Sequence, residues 1–159
     1  MAQNCVATGC KPPDSPCCSR YGFCGGTAEH CDAADGCQTG CWPASNKTKL
    51  YHHCITFRYR PKVTQAQIDS VTKAYIDVEN KALINGKKYI KIAGGRTIST
   101  KGIESNFRNG FVLTFTSAAD RFHLMCCEKA HQDFGNFMGQ YVTQIGYNVG
   151  FDFEEEIST

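Results

Sequence analysis

Residues 5–41 read CVATGCKPPDSPCCSRYGFCGGTAEHCDAADGCQTGC, and this stretch holds eight of the chain's 11 cysteines. An even number of closely spaced cysteines among Gly, Pro and Ala residues is typical of a disulfide framework formed in an oxidising compartment. A segment of about 40 residues buries too little apolar surface to fold without such cross-links. The sequence therefore predicts that residues 3–43 form a small N-terminal domain held by disulfide bridges.

A metal cluster is the alternative explanation for so many cysteines, but the spacing argues against it. Two of the eight cysteines are adjacent and no Cys-x2-Cys pair occurs, whereas structural zinc sites use such pairs. His52 and His53 could join His123 or His131 at a metal. Adjacent strand residues point to opposite faces, which disfavours that arrangement. We predict no metal site and no cofactor.

The overall composition excludes two classes of partner. The chain of 159 residues has a formal net charge of +2 with scattered positive residues, so no basic stripe predicts nucleic-acid binding. No apolar run reaches the roughly 18–20 residues that a membrane-spanning helix needs. Met1-Ala2-Gln3 has no basic and apolar leader. We expect a secreted protein whose signal peptide has been removed; the alternative is entry into an oxidising space by another route.

Bridges leave side chains exposed, and three exposed side chains suit a sugar. Tyr21 and Phe23 alternate across Gly22, which in an extended segment places both rings on one side. Apolar pyranose faces stack on such rings, and the hydroxyl of Ser19 can meet a polar group of the sugar. The alternative is that the two rings merely cover the disulfide core.

From Cys17 onward, the cysteine spacing and the Ser-x-aromatic-Gly-aromatic-Cys-Gly run resemble the hevein family of type 1 chitin-binding modules. The resemblance implies that Ser19 hydrogen-bonds an N-acetyl carbonyl and that Tyr21, Phe23 and His30 fill three aromatic positions. His30 stands where the family prefers a larger aromatic ring, so we expect weaker sugar binding. The implied bridges are Cys5–Cys18, Cys10–Cys24, Cys17–Cys31 and Cys37–Cys41.

A short polar segment follows the last cysteine of the N-terminal domain. Residues 44–49 have no apolar periodicity and are predicted to be a linker. Asn46 begins an Asn-Lys-Thr glycosylation sequon, with occupied and unoccupied states equally expected. Trp42 is expected to pack at the boundary between the domains rather than to bind sugar.

Residues 50–157 alternate between strand and helix patterns. The predicted elements are a strand at 53–59, a helix from Thr64 to Ala82 capped by Thr64, a turn at Asn85-Gly86, a strand at 89–92 ended by a Gly94-Gly95-Arg96 turn, a strand at 107–115, helices at 117–128 and 131–141, and a strand at 145–153 followed by a solvated acidic tail at 154–156. The order β-α-β-β-α-α-β predicts a ferredoxin-like α+β domain. Its sheet has helices on one face only, and covering the other face with a second copy predicts a two-fold homodimer.

Several short patterns of this region resemble the stress-responsive A/B barrel family, whose members form dimeric α+β barrels. The matching residues are His53 with Phe57-x-Tyr59, Val63-Thr64-x-x-Gln67, Gly95-Arg96, Thr114-Phe115-x-Ser117, Ala130-His131-x-x-Phe134 and Phe151-Asp152-Phe153. Cyclases of the olivetolic acid type belong to this family. The resemblance to them implies that His131 is a general base, with His53, Tyr75 and Asn109 lining a small-molecule pocket. The cyclase's second-helix tyrosine falls near Leu124–Met125, where His123 is the nearby polar group.

Each of these residues also has a purely structural interpretation. His131 could act as a base, or tie the start of a helix to a loop. His53 and Tyr75 could line a cavity, or be hydrogen-bonded polar groups of the core. Cys54 could bridge to Cys126 or Cys127, and adjacent cysteines are not expected to bridge each other.

Two functions from different classes follow from the sequence. The first is a lectin that binds chitin or N-acetylglucosamine oligomers through Ser19, Tyr21, Phe23 and His30, with the second domain making it a dimer. The alternative is a cyclase or isomerase that uses His131 as base, with the chitin-binding domain as an appendage. A stress or defence protein without catalysis is the third interpretation. An open cavity that His131 reaches favours the enzyme, whereas a cavity filled by apolar side chains argues against it.

Overall fold

The computed structural model describes residues 5–11, 13, 15–42, 48–99, 107–143 and 149–157. The chain divides into two compact units. The cysteine-rich unit comprises Met1–Tyr51, Phe115–Cys126 and Glu154–Thr159, and the sheet unit comprises His52–Thr114 and Cys127–Phe153. Across the described residues, no helix is both long and apolar enough to cross a membrane. The predicted linker residues 44–47, including the sequon residue Asn46, lie outside the described part of the chain.

Four disulfide bridges hold the cysteine-rich unit, and their pairing is the one implied by the hevein resemblance. The bridges are Cys5–Cys18, Cys10–Cys24, Cys17–Cys31 and Cys37–Cys41. Each bridge over a loop of this size stabilises the fold by about 2–4 kcal/mol. The regular elements between the bridges are short because cross-links replace a hydrophobic core. They are α1 (Cys5–Thr8), β1 (Cys17–Cys18), β2 (Cys24–Gly25) and α2 (Ala28–Cys31), with β1 and β2 paired antiparallel.

The sheet unit is a ferredoxin-like α+β fold, as the strand and helix order predicts. Its four-stranded sheet has the order β6-β7-β3-β8. Helices α3 and α5 of this unit pack against each other. The strands are β3 (Thr48–Arg58), β4 (Leu83–Ile84), β5 (Lys87–Lys88), β6 (Lys91–Arg96), β7 (Phe107–Phe115) and β8 (Val149–Ile157), and the helices are α3 (Gln65–Lys81), α4 (Ala118–Cys126) and α5 (Lys129–Met138). Of these, α4 is grouped with the cysteine-rich unit.

Helix α3 begins at a full capping box. The Thr64 hydroxyl accepts from the Gln67 amide, 3.3 Å away, and the Gln67 side-chain oxygen accepts from the Thr64 amide at 2.8 Å. These reciprocal bonds satisfy the backbone amides of Thr64 and Gln67, which a helix start otherwise leaves without an acceptor. The predicted Thr64 cap is confirmed. Ile68, Val71, Tyr75 and Val78 form the buried face of this helix at the spacing of a 3.6-residue period.

Two turn predictions had opposite outcomes. Asn85 and Gly86 do form a turn, with φ angles of 50° and 75°, between the short strands β4 and β5. Gly94 and Gly95, predicted to be a turn, instead lie within β6 and pair with Phe111 and Gly110 of β7. A Cβ atom at position 94 would collide with the Phe111 ring, so glycine permits a close strand approach here rather than a reversal.

The C-terminal prediction also needs a correction. Glu154, Glu155 and Glu156, predicted to be a solvated tail, belong to strand β8, which runs to Ile157. The predicted start of this strand at Ile145 lies outside the described residues. Strand pairing along β3 keeps the acidic run extended, and the exposed position of every β8 residue lets the carboxylates stay hydrated.

Candidate functional site

The Ser19–Phe23 turn presents the predicted sugar-binding residues. The Ser19 amide donates to the Phe23 carbonyl at 2.9 Å, and the Phe23 amide donates to the Ser19 hydroxyl oxygen at 3.3 Å. Gly22 reverses the chain with a φ of 81°, a conformation that favours glycine. Ser19 is buried while Phe23 is half-buried. The serine oxygen thus helps to shape the turn that carries both rings.

The ring of Tyr21 is stacked on another ring. His123 of helix α4 lies nearly parallel to it, with 4.2 Å between the ring centroids and 10° between the planes. The Tyr21 hydroxyl donates to the carboxylate of Asp120. Both the face and the polar tip of this predicted sugar-binding residue therefore contact α4.

An ion pair with a buried carboxylate lies beside this stack. The Arg20 guanidinium pairs with the Asp120 carboxylate and donates to the Tyr21 hydroxyl oxygen at 3.2 Å. The side chain of Asp120 is 4% exposed and that of Arg20 is 35% exposed. A carboxylate so far removed from water needs a cation or several donors, and Arg20 with Tyr21 supplies them.

His30 has two protein contacts of its own. Its ring meets the Phe122 ring edge-on, with centroids 5.3 Å apart and 62° between the planes. Its Nδ1 lies 3.1 Å from the Thr27 hydroxyl oxygen. A Cβ atom at Gly25 would collide with the imidazole, so the absence of a side chain there makes room for the ring.

Asp35 forms a hydrogen bond with the first turn of α4. Its carboxylate accepts from the Ala118 amide at 2.9 Å, and the Ser117 hydroxyl accepts from the Asp120 amide at 3.0 Å. Both bonds satisfy amides that a helix start leaves open. Burial raises the pKa of Asp35 to about 6, and the Asp32 charge adds to the increase, whereas the Ala118 amide and Arg20 oppose it.

Tyr21 and His30 thus both contact helix α4, which was not predicted from the sequence. The residues of α4 that make these contacts are Asp120, Phe122 and His123. The signal in the sequence was His123, a polar residue standing where the cyclase resemblance implied a catalytic tyrosine. Trp42, expected to be packed at a domain boundary, is instead 48% exposed.

In the sheet unit, aromatic rings fill the space around Tyr75. The rings of Phe134, Phe111 and Phe57 have centroids 4.3, 4.7 and 5.5 Å from that of Tyr75. All four residues are buried, and burial raises the pKa of the Tyr75 hydroxyl. The centroid of the His131 ring, in the first turn of α5, lies 6.4 Å from that of Tyr75. The structure therefore brings this predicted pair close, at the edge of an aromatic core.

The other two predicted pocket residues have separate contacts. His53 Nδ1 lies 2.7 Å from a carboxylate oxygen of Asp152. Asn109 is buried, and its amide donates to the Tyr59 hydroxyl oxygen at 2.5 Å and to the Thr72 hydroxyl oxygen at 3.1 Å. Burial raises the pKa of Tyr59 to about 12.

A groove of about 600 Å³ runs between α3 and α5. His131 is not among the residues that line it, although its chain neighbour Ala130 is. The lining residues are Ala74, Val78, Lys81, Glu128, Lys129, Ala130, Asp133, Phe134 and Phe137. This mixed apolar and charged groove differs from the His131 cavity that the cyclase resemblance implies.

The three remaining cysteines differ in whether they are disulfide-bonded. Cys54 is the free cysteine among the described residues, and burial, with the nearby Asp152 charge, raises the pKa of its thiol. Cys126 and Cys127 are both disulfide-bonded. Because the other eight are paired among themselves, these two bridge each other, contrary to the sequence-based expectation for adjacent cysteines.

Comparison with known proteins separates the two parts of the chain. Over 26 residues the chain is 65% identical to morintide mO3 from Moringa oleifera, covering 16% of this chain and 84% of that peptide. Over 42 residues it is 48% identical to antimicrobial peptide 1b from Leymus arenarius, covering 25% of this chain and 91% of the peptide. Together with the four bridges, these matches decide the assignment. The N-terminal module belongs to the hevein-like family.

The hevein-like module also occurs inside longer relatives. Endochitinase B from Zea mays is 54% identical over 39 residues, which are 24% of this chain and 11% of the maize enzyme. The chain likewise spans 32% of morintide mO1. No family model matches the chain.

Solved structures resemble the remainder of the chain in fold. A protein from Arabidopsis thaliana has a TM-score of 0.54 at 17% identity, covering 69% of this chain and 97% of that protein. Hydroxynitrile lyase from Passiflora edulis has a TM-score of 0.54 at 18% identity, covering 69% of this chain and 94% of that enzyme. A dimeric ferredoxin-like protein from Bacteroides fragilis has a TM-score of 0.51 at 16% identity, covering 67% of this chain and 96% of that protein. The predicted fold class is confirmed.

Proposed function

We propose that the hevein-like module binds chitin or N-acetylglucosamine oligomers through Ser19, Tyr21, Phe23 and His30. The observation that carries the proposal is the rigid turn between Cys18 and Cys24, which presents two aromatic rings beside a serine. Rings held by cross-links lose little conformational freedom on binding, so a stacked sugar gains more net affinity from them. The relationship to antimicrobial peptides and to part of an endochitinase supports this class of ligand.

Retention on chitin beads tests the proposal in the full-length chain. The Tyr21→Ala, Phe23→Ala double variant is expected to lose at least tenfold in retention, because stacking on both rings is removed. Phe137→Ala, which removes a half-buried ring of the sheet unit, is the matched control and should bind like the unaltered chain. Equal retention of the double variant would refute sugar binding at these rings.

The α+β barrel domain is proposed to pair two hevein-like modules in a homodimer. Strand β8 exposes Val149, Phe151 and Phe153, which are 54%, 60% and 45% exposed. Exposed apolar side chains on one sheet suit burial against a second copy. Similar folds include proteins described as dimeric. Two linked weak sites raise avidity for a polymer by about 10²- to 10⁴-fold, and the bridged cysteines suit a secreted protein in an oxidising space.

A cyclase- or isomerase-like activity with His131 as general base is the second candidate. The proximity of His131 to Tyr75 and the contact between His53 and Asp152 favour it, because both place an imidazole beside another proton-carrying group. The rings packed around Tyr75 leave little room for substrate at that point, so sugar binding ranks first. Saturation-transfer NMR with small phenolic acids tests the candidate: binding that His131→Ala and Tyr75→Phe both reduce would support it, and no binding would remove it.

A further inference from the structure

We propose that helix α4, Ala118–Cys126, competes with chitin oligomers for the aromatic face of the hevein-like module, so that sugar binding requires this helix to leave. The inference rests on the proposed sugar-binding function and adds its regulation. It makes the chain a lectin with an internal competitor.

The competition begins with the face of Tyr21. His123 covers this ring in parallel at a centroid distance of 4.2 Å, which is the geometry that a stacked pyranose would adopt. One ring face cannot hold an imidazole and a sugar at the same time. The Tyr21 hydroxyl, the group that would reach a sugar hydroxyl, already donates to Asp120.

The second aromatic position is engaged by the same helix. His30 meets Phe122 edge-on at 5.3 Å, and Phe122 and His123 are consecutive in α4. Two neighbouring rings of one helix therefore contact two of the three predicted sugar-binding rings. Phe23, the third, is half-buried within its own module.

Polar contacts hold the helix at this face independently of the rings. Asp35 accepts from the Ala118 amide, and Arg20 pairs with the buried carboxylate of Asp120. Both carboxylates are buried, and each has a donor or cation across the contact, as in a specific interface. Arg20 lies within the Ser19–Phe23 turn and Asp35 follows it later in the chain, so two separate segments of the module contact α4.

The helix nevertheless retains features of a displaceable ligand. Phe122 and His123 are half-buried, whereas Leu124 beside them is fully buried. When only a fraction of molecules has the binding-competent state, the apparent dissociation constant equals the intrinsic one divided by that fraction. Weakening the ring contacts of α4 should therefore increase sugar affinity without any change in the hevein-like module.

Isothermal titration of the N-acetylglucosamine trimer into the full-length chain tests the competition. The Phe122→Ala, His123→Ala double variant is expected to bind about tenfold more tightly than the unaltered chain. Met125→Ala, on the same helix but in neither ring pair, is the control and should leave the affinity unchanged. Alanine favours helix, and both replaced rings are half-buried, so α4 keeps its helical propensity.

The outcomes separate this inference from the function on which it rests. Equal or weaker binding by the double variant would overturn the competition while leaving the lectin proposal intact. Absence of binding by both the unaltered chain and the double variant would overturn both.

Hydrogen exchange of the unaltered chain gives an independent measurement. Saturating sugar is expected to raise the exchange rates of the amides in residues 118–126 at least severalfold, because bound sugar removes the surface on which α4 rests. A sugar that binds while these amides exchange at their original rates would show that helix and sugar coexist, which would overturn the proposal.

Discussion

The carboxylate of Asp35 accepts a hydrogen bond from the backbone amide of Ala118, 2.9 Å away, at the first residue of α4. The two residues are separated by 83 positions in the chain. A loop of the hevein-like module therefore caps a helix that follows the third strand of the sheet. Because the capping carboxylate is buried, this contact responds to pH.

Helix α4 is expected to be held more weakly as the pH rises from 4 to 6. The folded-state pKa of Asp35 is raised from 3.8 to about 6, mainly by burial. A raised pKa means that the stabilising contribution is complete below pH 3.8 and is lost as the pH passes through about 6. We expect a loss of about 1–3 kcal/mol over this window, measured as a fall in the protection factors of residues 118–126, which remove the intrinsic rise of exchange rates with pH.

Asp35→Asn is the matched control for this pH dependence. The asparagine oxygen can still accept from the Ala118 amide, but the side chain does not titrate. Its protection factors for residues 118–126 should be nearly independent of pH between 4 and 6. An unchanged slope in this variant would assign the effect to another group.

Arg20→Ala is expected to destabilise the cysteine-rich unit more than Asp120→Ala. The first change leaves a carboxylate that is 4% exposed without its cation, whereas the second leaves a guanidinium that is 35% exposed and can regain water. We expect losses of about 3 kcal/mol and about 1 kcal/mol, respectively. Urea denaturation followed by the fluorescence of Trp42, the chain's single tryptophan, measures both values under oxidising conditions. The reverse order would contradict the burial asymmetry.

Phe134→Ala should lower the stability of the sheet unit by about 3–5 kcal/mol, because it opens a cavity beside Tyr75 and Phe57. Phe137→Ala, in the same helix but half-buried, should cost clearly less. Circular dichroism during urea denaturation compares the two variants. Equal losses would mean that the Phe134 cluster is not the packing centre of this unit.

The Phe151→Asp, Phe153→Asp double variant is expected to raise the dissociation constant of the proposed homodimer at least tenfold. Charged side chains among the exposed apolar residues of strand β8 would have to be desolvated in a two-fold interface. Light scattering after gel filtration measures the change in mass with concentration. Ile98→Asp, at a position that is 93% exposed, controls for added charge and should leave the mass unchanged. A double variant that remains dimeric would show that the interface does not include these two residues.

Much of the fold follows from local patterns. The Thr64 cap, the buried stripe ending at Val78 and the Asn85-Gly86 turn each depend on residues within a few positions of one another. The exceptions involve distant partners. Gly94 and Gly95 favour a turn in isolation, but pairing with β7 keeps them extended. The acidic run after Phe153 suggests a hydrated tail, but the edge of the sheet recruits it as a strand.

The cysteine spacing and the Ser-x-aromatic-Gly-aromatic-Cys-Gly run together carried the resemblance that implied the hevein-like framework and its bridges, and such cross-links constrain a short chain regardless of what surrounds it. The same sequence placed Tyr21 and His30 on that framework as rings suited to a sugar. Only the tertiary structure decided that these rings contact His123 and Phe122. The hydrophobic period of α4 predicts a helix with a buried side, but it does not specify which distant surface covers that side, since packing partners are selected by shape and charge in three dimensions.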